Sequence, residues 1–274
     1  MLASPYAFDD PDADVILRAP LQPGSDEFRD FHVYKNILSI ASSVFRDILS
    51  IPQPLHLTSG DTTLDVVGVT DPANVLETFL QLIYPVDPPV IEDLRLVDDL
   101  FRLADKYAAK GVSAKLKKLL VSPSFLKDDP IGVFAVACRN NLEEEEGLAV
   151  SHTFLIDVVG EISDEHLESM TAKAYHRLLA KHALRQEQLV GAVDQGSRGM
   201  QRGVCTCVRK LKQEIRLATS GRPFLDREIL DKCYFSMKAL SYRCGARSGN
   251  CIYDADEGTA FLSNIMRAIQ AIPM

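Results

Sequence analysis

The chain has 274 residues, of which 46% are hydrophobic and 25% are charged, and its formal net charge is −8. This composition is typical of a globular protein, long enough for one large domain or two smaller ones. The negative charge argues against a nucleic-acid partner, because phosphate backbones are bound by clustered Lys and Arg side chains. No apolar run approaches the ~20 residues that span a bilayer, and the acidic start MLASPYAFDDPDAD is unlike a secretory signal. We therefore expect a cytoplasmic or nuclear protein with no membrane partner.

The first 70 residues predict three strands and a helix. Asp14 to Ala19 and Phe28 to Tyr34 are short apolar stretches on either side of the turn-rich PLQPGSDE, which favours a hairpin. From Lys35 to Leu49 the apolar residues recur at helical spacing. After a polar, proline-containing loop, the β-branched stretch Thr63 to Val69 predicts the third strand.

Helices dominate the rest of the sequence. Asp71 and Pro72 form a helix-start signal, as N-cap and first helical residue, and a later amphipathic helix is expected to end near Gly111. From Asp129 onward the spacing is helical throughout, interrupted by GAVDQGSRGMQRG, a composition typical of linkers. The pattern predicts an α+β domain at residues 1–125, a helical extension at 126–190, a linker at 191–203 and a cysteine-containing helical tail at 204–274.

Four motifs in the first 125 residues carry a resemblance to a known family. They are PDADVIL, FHVYKNILSIASSVF, VVGVTDPANVLETFLQLIY and LFRLADKYAAKGV, and together they resemble the BTB/POZ domain, in detail the set found in mushroom-forming fungi. The helices that follow are similar in placement to the extension found after many BTB domains. The residues that match the family pattern are Asp14, Lys35, Leu38, Ser42, Phe45, Leu80, Tyr84, Ala104, Asp105 and Tyr107.

The resemblance implies a protein-interaction module that needs no cofactor. Its self-association surface is expected on the first strand and first helix, and the residues assigned to this interface or motif are Asp14, Lys35, Ile37, Leu38, Ser42 and Phe45. Read without the family, the apolar residues of that helix would simply be core. We expect a homodimer that also binds protein partners, and whose function is that of an oligomerising scaffold or transcriptional cofactor.

Two departures from the family pattern bear on the partners. Tyr34 stands where the family usually has His. BTB proteins that recruit a cullin commonly carry a hydrophobic-x-Glu motif after the S-x-x-F helix, whereas this chain reads ILSIPQPLHLTSGD there, with prolines and no Glu. A substrate adaptor for a cullin-based ubiquitin ligase, with a cullin as partner, is therefore the alternative function.

Five of the six cysteines fall in the last quarter of the sequence. Structural zinc sites use about four Cys or His ligands in closely spaced pairs, and the candidate ligands here are Cys205, Cys207, Cys233, Cys244 and Cys251. No CxxC pair occurs and no His follows His182. Reduced thiols that pack as small apolar groups are the favoured interpretation, so no metal is predicted.

No other pattern indicates catalysis. His176 and His182 are six residues apart and lie on different faces of a helix. His152 and His166 have no convincing nucleophile or acid partner nearby in the sequence. The run Glu143 to Glu146 is expected to be a solvated helix face. No phosphate loop or nucleophile elbow occurs, and we expect no enzymatic activity.

Overall fold

The computed structural model describes residues 7–51, 64–196, 206–240 and 255–272. The chain divides into two compact units, Met1–Asp128 and Asp129–Met274. The elements of the first unit are β1 (Val15–Pro20), β2 (Phe28–Val33), α1 (Lys35–Ala41), α2 (Ser43–Ser50), β3 (Asp65–Gly68), α3 (Ala73–Ile83), α4 (Leu94–Lys106), α5 (Lys110–Leu120) and α6 (Pro123–Asp128). Those of the second are α7 (Pro130–Arg139), α8 (Glu143–Thr153), α9 (Val158–Glu161), α10 (Asp164–Ser169), α11 (Ala172–Gly196), α12 (Thr206–Ala218), α13 (Arg227–Leu240) and α14 (Ala255–Gln270).

The sheet of the first unit has the order β2-β1-β3. β1 and β2 form the predicted antiparallel hairpin, with Val15 opposite Val33. β3 runs parallel to β1, with Val15 opposite Asp65, and a parallel pair needs a crossover such as α1 and α2 provide. β1 therefore lies in the centre, and all of its side chains except that of Arg18 are buried.

The helix predicted from Lys35 to Leu49 is broken in two at Ser42. Ser42 has extended backbone angles, φ −141° and ψ 123°. Its hydroxyl accepts a hydrogen bond from the backbone N–H of Phe45 at 3.0 Å, which caps the start of α2. A serine that bonds a neighbouring N–H competes with the helix, and this competition overrides the continuous apolar spacing.

Two predicted helix ends are wrong. α3 begins at Ala73 with Pro72 as its N-cap residue, because the Asp71 carboxylate is occupied by Lys106 and Tyr107. α4 ends at Lys106, and Ala108 takes the left-handed conformation (φ +50°) where glycine was expected. Gly111 lies inside α5. Tertiary contacts account for the start of α3, whereas the end of α4 is closed locally by a hydrogen bond from the Ala109 N–H to the Ala104 carbonyl at 2.8 Å.

Every secondary-structure element that the structure describes in the second unit is a helix, and the tail has a core of its own. α11 packs on α12 and α14, and α12 packs on α13. Their buried side chains include Val193, Cys207, Leu211, Met237 and Ile265. No helix among the described residues is long and apolar enough to cross a bilayer.

The linker predicted at residues 191–203 does not begin where expected. α11 continues through Gly196, and Ala192 and Val193 are fully buried. A glycine-containing stretch stays helical here because its small residues allow close packing, with Ile265 of α14 directly against Gly196. Residues 197–203 lie outside the described part of the chain, and the domain limits remain a prediction.

Candidate protein-interaction surfaces

Asp14 and Lys35 fix the start of α1. The backbone N–H of Lys35 donates to Asp14 Oδ1 at 2.7 Å, and Lys35 Nζ pairs with Asp65 Oδ2 on β3, also at 2.7 Å. These two contacts join the entry of β1, the first turn of α1 and the edge strand β3. Asp14 itself is exposed, so this motif pair orients a helix at the surface.

Leu38, Ser42 and Phe45 are buried and present no surface. The relative exposure of Leu38 and Phe45 is 0%. The hydroxyl of Ser42 donates to the backbone carbonyl of Tyr107, and the ring of Phe45 stacks on Tyr107 with centroids 4.3 Å apart. Leu38 and Phe45 are therefore core residues of the first unit, as the sequence suggests when it is read without the family.

Tyr107 and Lys106, from the ADKY motif, hold Asp71 in front of α3. Lys106 Nζ lies 2.7 Å from Asp71 Oδ2, and the Tyr107 hydroxyl donates to the same oxygen at 2.5 Å. Burial raises the pKa of the Tyr107 hydroxyl, and the Asp71 carboxylate beside it raises the pKa further. The hydroxyl therefore stays a donor at physiological pH, and the motif joins α4 to α3.

Tyr34, which departs from the family pattern, ties down the residues before β1. Its hydroxyl donates to Asp10 Oδ2 at 2.5 Å, and this hydrogen bond lowers the pKa of the Asp10 carboxyl. Its backbone N–H donates to the Tyr84 hydroxyl at 2.8 Å. The longer tyrosine side chain anchors the acidic N-terminal segment beside α1.

The outer side of α1 exposes Ile40, a residue that the sequence analysis missed. Ile40 has a relative exposure of 89%, and Ile37, one turn before it, is half-buried. The sequence spacing gave no reason to separate Ile40 from the core residues around it. β1 contributes little to such a surface, since it is the central strand.

A groove of about 460 Å³ lies beside α1. Its walls come from α1, α2, the end of α3 and the start of α5, and include Ile40, Leu82, Ile83 and Val112. Arg46, Lys110 and Lys115 also line it. Lys115 Nζ donates to the Leu82 carbonyl at 2.7 Å, whereas no acidic group pairs with the exposed side chains of Arg46 and Lys110 among the residues that the structure describes.

The candidate zinc ligands that the structure describes, Cys207 and Cys233, do not form a metal site with other described residues. Cys205, Cys244 and Cys251 lie outside the described residues. Cys207 and Cys233 are buried in the tail core, and burial raises the pKa of the Cys233 thiol. Within the described ranges no group of three or more Cys, His, Asp or Glu side chains is placed to hold a metal.

Cys138 on α7 is half-buried, and burial raises the pKa of its thiol to about 11.

His166 has the acid and hydroxyl partners that the sequence did not predict. Its Nδ1 accepts the backbone N–H of Ser163 at 3.2 Å and lies 3.0 Å from Ser163 Oγ. Its Nε2 lies 3.2 Å from Asp129 Oδ2. The Ser163 hydroxyl also accepts from the backbone N–H of His166, which makes a capping box at the start of α10. The three side chains are arranged as a helix cap, with Nδ1 already occupied by a main-chain donor.

The expectation of a fully solvated acidic run is wrong for two of its four residues. Glu145 and Glu146 are each only 9% exposed. Glu146 pairs with Arg177 at 2.9 Å and Lys181 at 3.3 Å, and these cations on α11 offset the cost of burying its charge. Glu143 and Glu144 remain exposed at the first turn of α8.

Part of the first unit matches a known protein family. Residues 22–124 match the family model of the BTB/POZ domain, a range that runs from the β1–β2 turn into α6. No curated protein matches the chain. The matched range contains Lys35, Ser42, Phe45 and Tyr107, while Asp14 precedes it. The likeness to the set in mushroom-forming fungi stays a prediction.

Proposed function

We propose that this chain, whose residues 22–124 match the BTB/POZ domain, a protein-interaction module, self-associates through the outer side of α1 and acts as an oligomerising scaffold or transcriptional cofactor. The observation that carries this proposal is the exposure of Ile40, at 89%, beside half-buried Ile37. Two such helices related by a two-fold axis would cover each other's isoleucines, as in an isologous dimer. Burying one isoleucine side chain contributes about 1.5–3 kcal/mol.

The anchoring of α1 supports this role. Asp14 and Lys35 fix one end of the helix, and Ser42 and Phe45 fix the other through Tyr107. A helix held at both ends loses little conformational freedom when a partner binds, so more of the contact energy goes into affinity.

The sequence favours the scaffold over the cullin adaptor. BTB proteins that recruit a cullin commonly carry a hydrophobic-x-Glu motif after the S-x-x-F helix, and this chain reads ILSIPQPLHLTSGD there, without a Glu. Calorimetry with the N-terminal region of a BTB-class cullin distinguishes the two functions. Micromolar or tighter binding would make the adaptor the leading function, and no detectable binding is the result that the scaffold predicts.

The location of the dimer surface is tested with Ile40→Asp. A charge at this position should raise the dimer dissociation constant at least tenfold, because ~1.4 kcal/mol is a factor of ten and the aspartate would be desolvated between the helices. Sedimentation velocity measures the constant. The matched control is Val90→Asp, since Val90 is 81% exposed and lies in the segment before α4. Equal dissociation constants for both variants would move the interface away from α1.

A further inference from the structure

We propose that the basic groove beside α1 binds the first turn and exposed edge of α8 from a second copy of this chain, which links dimers head to tail. The inference rests on the proposed self-association and names a second contact. Ile40 of the proposed dimer surface also lines this groove, so the second contact is assigned to the part of the groove lined by Arg46, Ile83, Lys110 and Val112. Its basis is the complementarity of two exposed features, one on each compact unit.

The groove combines an apolar lining with positive charge. Ile83 and Val112 contribute to its walls, and Arg46 on α2 and Lys110 on α5 lie along it. α5 has the sequence KGVSAKLKKLL, which contains no acidic residue. Its cations therefore have no neighbour of opposite charge on their own helix. A ligand for this groove must bring an apolar side chain together with carboxylates.

The exposed edge of α8 has this chemistry. Glu143 and Glu144 stand in its first turn, and Glu144 has no hydrogen-bond or ion-pair partner among the residues that the structure describes. Leu148, one turn further on, is 50% exposed, and Leu155 just after the helix is 49% exposed. Gly147 precedes Leu148 and adds no side chain beside it. Along the chain, this edge of α8 therefore exposes two carboxylates at its start and two leucine side chains after them.

The proposed contact between two copies would propagate. The groove and α8 are different surfaces, so the contact is heterologous and leaves a free groove and a free helix at the ends of each assembly. One helix edge in a groove of about 460 Å³ is a small contact and is expected to be weak. A dimer joined through α1 carries two grooves and two α8 edges, and this multivalency strengthens the assembly.

The test is the mass of the full chain against concentration, by sedimentation velocity at low and high salt. Wild type is expected to form species above twice 30.3 kDa, and these should be lost when salt is raised from about 0.05 M to about 0.5 M, because exposed charges are screened. The groove variant R46E/K110E and the helix variant E143K/E144K should each lose the larger species and keep the dimer. Combining the four changes in one chain restores opposite charges and should restore the larger species.

Two controls keep the test falsifiable. K118E/K127E changes the net charge by the same amount as R46E/K110E, at exposed lysines that do not line the groove, and should assemble like wild type. Leu148→Asp should block assembly even if E143K/E144K folds poorly next to Arg177. A wild-type dimer whose mass does not rise, or a four-change chain that stays dimeric, would overturn the inference and leave the α1 dimer standing. A wild-type monomer would overturn both.

Discussion

Ser42 stabilises the first unit through two hydrogen bonds that a single substitution removes. Its hydroxyl accepts from Phe45 N–H and donates to the Tyr107 carbonyl, and its relative exposure is 1%. Ser42→Ala should therefore lower the free energy of unfolding by about 2–3 kcal/mol, the sum of a lost N-cap and a buried carbonyl left without a donor.

Urea unfolding followed by circular dichroism measures this loss. The control is Ser43→Ala, because Ser43 is exposed and is the first residue of α2, and a change within about 0.5 kcal/mol is expected there. Equal effects of the two substitutions would mean that Ser42 does not hold the corner between α1 and α2.

His182 should make the second unit less stable in acid. It is 9% exposed, lies 2.9 Å from Thr153 Oγ1, and burial lowers its pKa to about 4. Below pH 6.5 the unfolded chain takes up a proton at this position and the folded chain does not, so stability falls as the pH drops from about 6.5 to about 4 and this loss is complete below that range. The expected contribution is about 1–3 kcal/mol.

His182→Gln removes the titrating group while keeping a side chain that can reach Thr153. Urea unfolding at pH 7 and pH 4.5 should show a smaller loss of stability in acid for this variant than for wild type. His176→Gln, at an exposed histidine of the same helix, should keep the wild-type loss. If both variants follow wild type, another group causes the acid sensitivity.

At the scale of the elements, two glycines in α11 have opposite roles. A Cβ added at Gly196 would meet Ile265 Cγ1 at 2.6 Å and the backbone nitrogen of Ile265 at 3.0 Å, whereas a Cβ at Gly191 would meet nothing within 4 Å. Gly196→Ala should cost about 1–3 kcal/mol, because α11 and α14 must move apart. Gly191→Ala should stabilise by up to ~1 kcal/mol through helix propensity.

Thermal unfolding of the two alanine variants measures these opposite shifts. The difference in sign is the informative result, since both substitutions add the same methyl group to the same helix. A stabilised Gly196→Ala would contradict the close approach of α11 and α14.

The elements that the sequence predicted correctly are those with a local signal. The hairpin of β1 and β2 follows from two apolar runs around PLQPGSDE, and α7 begins after Asp129, whose carboxylate caps Gly132 N–H. The start of α3, which was predicted wrongly, depends on distant partners. The sequence could not show that Asp71 is not the N-cap residue of α3. Lys106 and Tyr107, which donate hydrogen bonds to its carboxylate, lie more than thirty residues away in sequence.

The same limit applies to the surfaces. The motif residues Leu38, Ser42 and Phe45 were found from the sequence, but the contacts of Ser42 and Phe45 with Tyr107 were not. Arg46 and Lys110 are separated by β3 and two helices, and only the packing of α2 and α5 brings them to one groove. The exposure of Ile40 likewise depends on the tertiary packing around α1, which the sequence does not show.

For the chain as a whole, the proposed α1 dimer uses the first unit, in which residues 22–124 match the BTB/POZ domain, and the proposed groove contact joins that unit to α8 of another copy. The second unit has a buried core of its own in α11 to α14, and we expect it to supply the surfaces that distinguish this protein from others with the same domain. The α1 dimer and the groove contact would together make the chain a scaffold with many identical binding positions.

The central claim is self-association, and the most direct measurement is the absolute mass of the purified chain by light scattering after size exclusion, at tens of micromolar. We expect a mass of at least twice 30.3 kDa, since an interface of ordinary size holds at such concentrations. A mass of 30.3 kDa across the whole concentration range would contradict it.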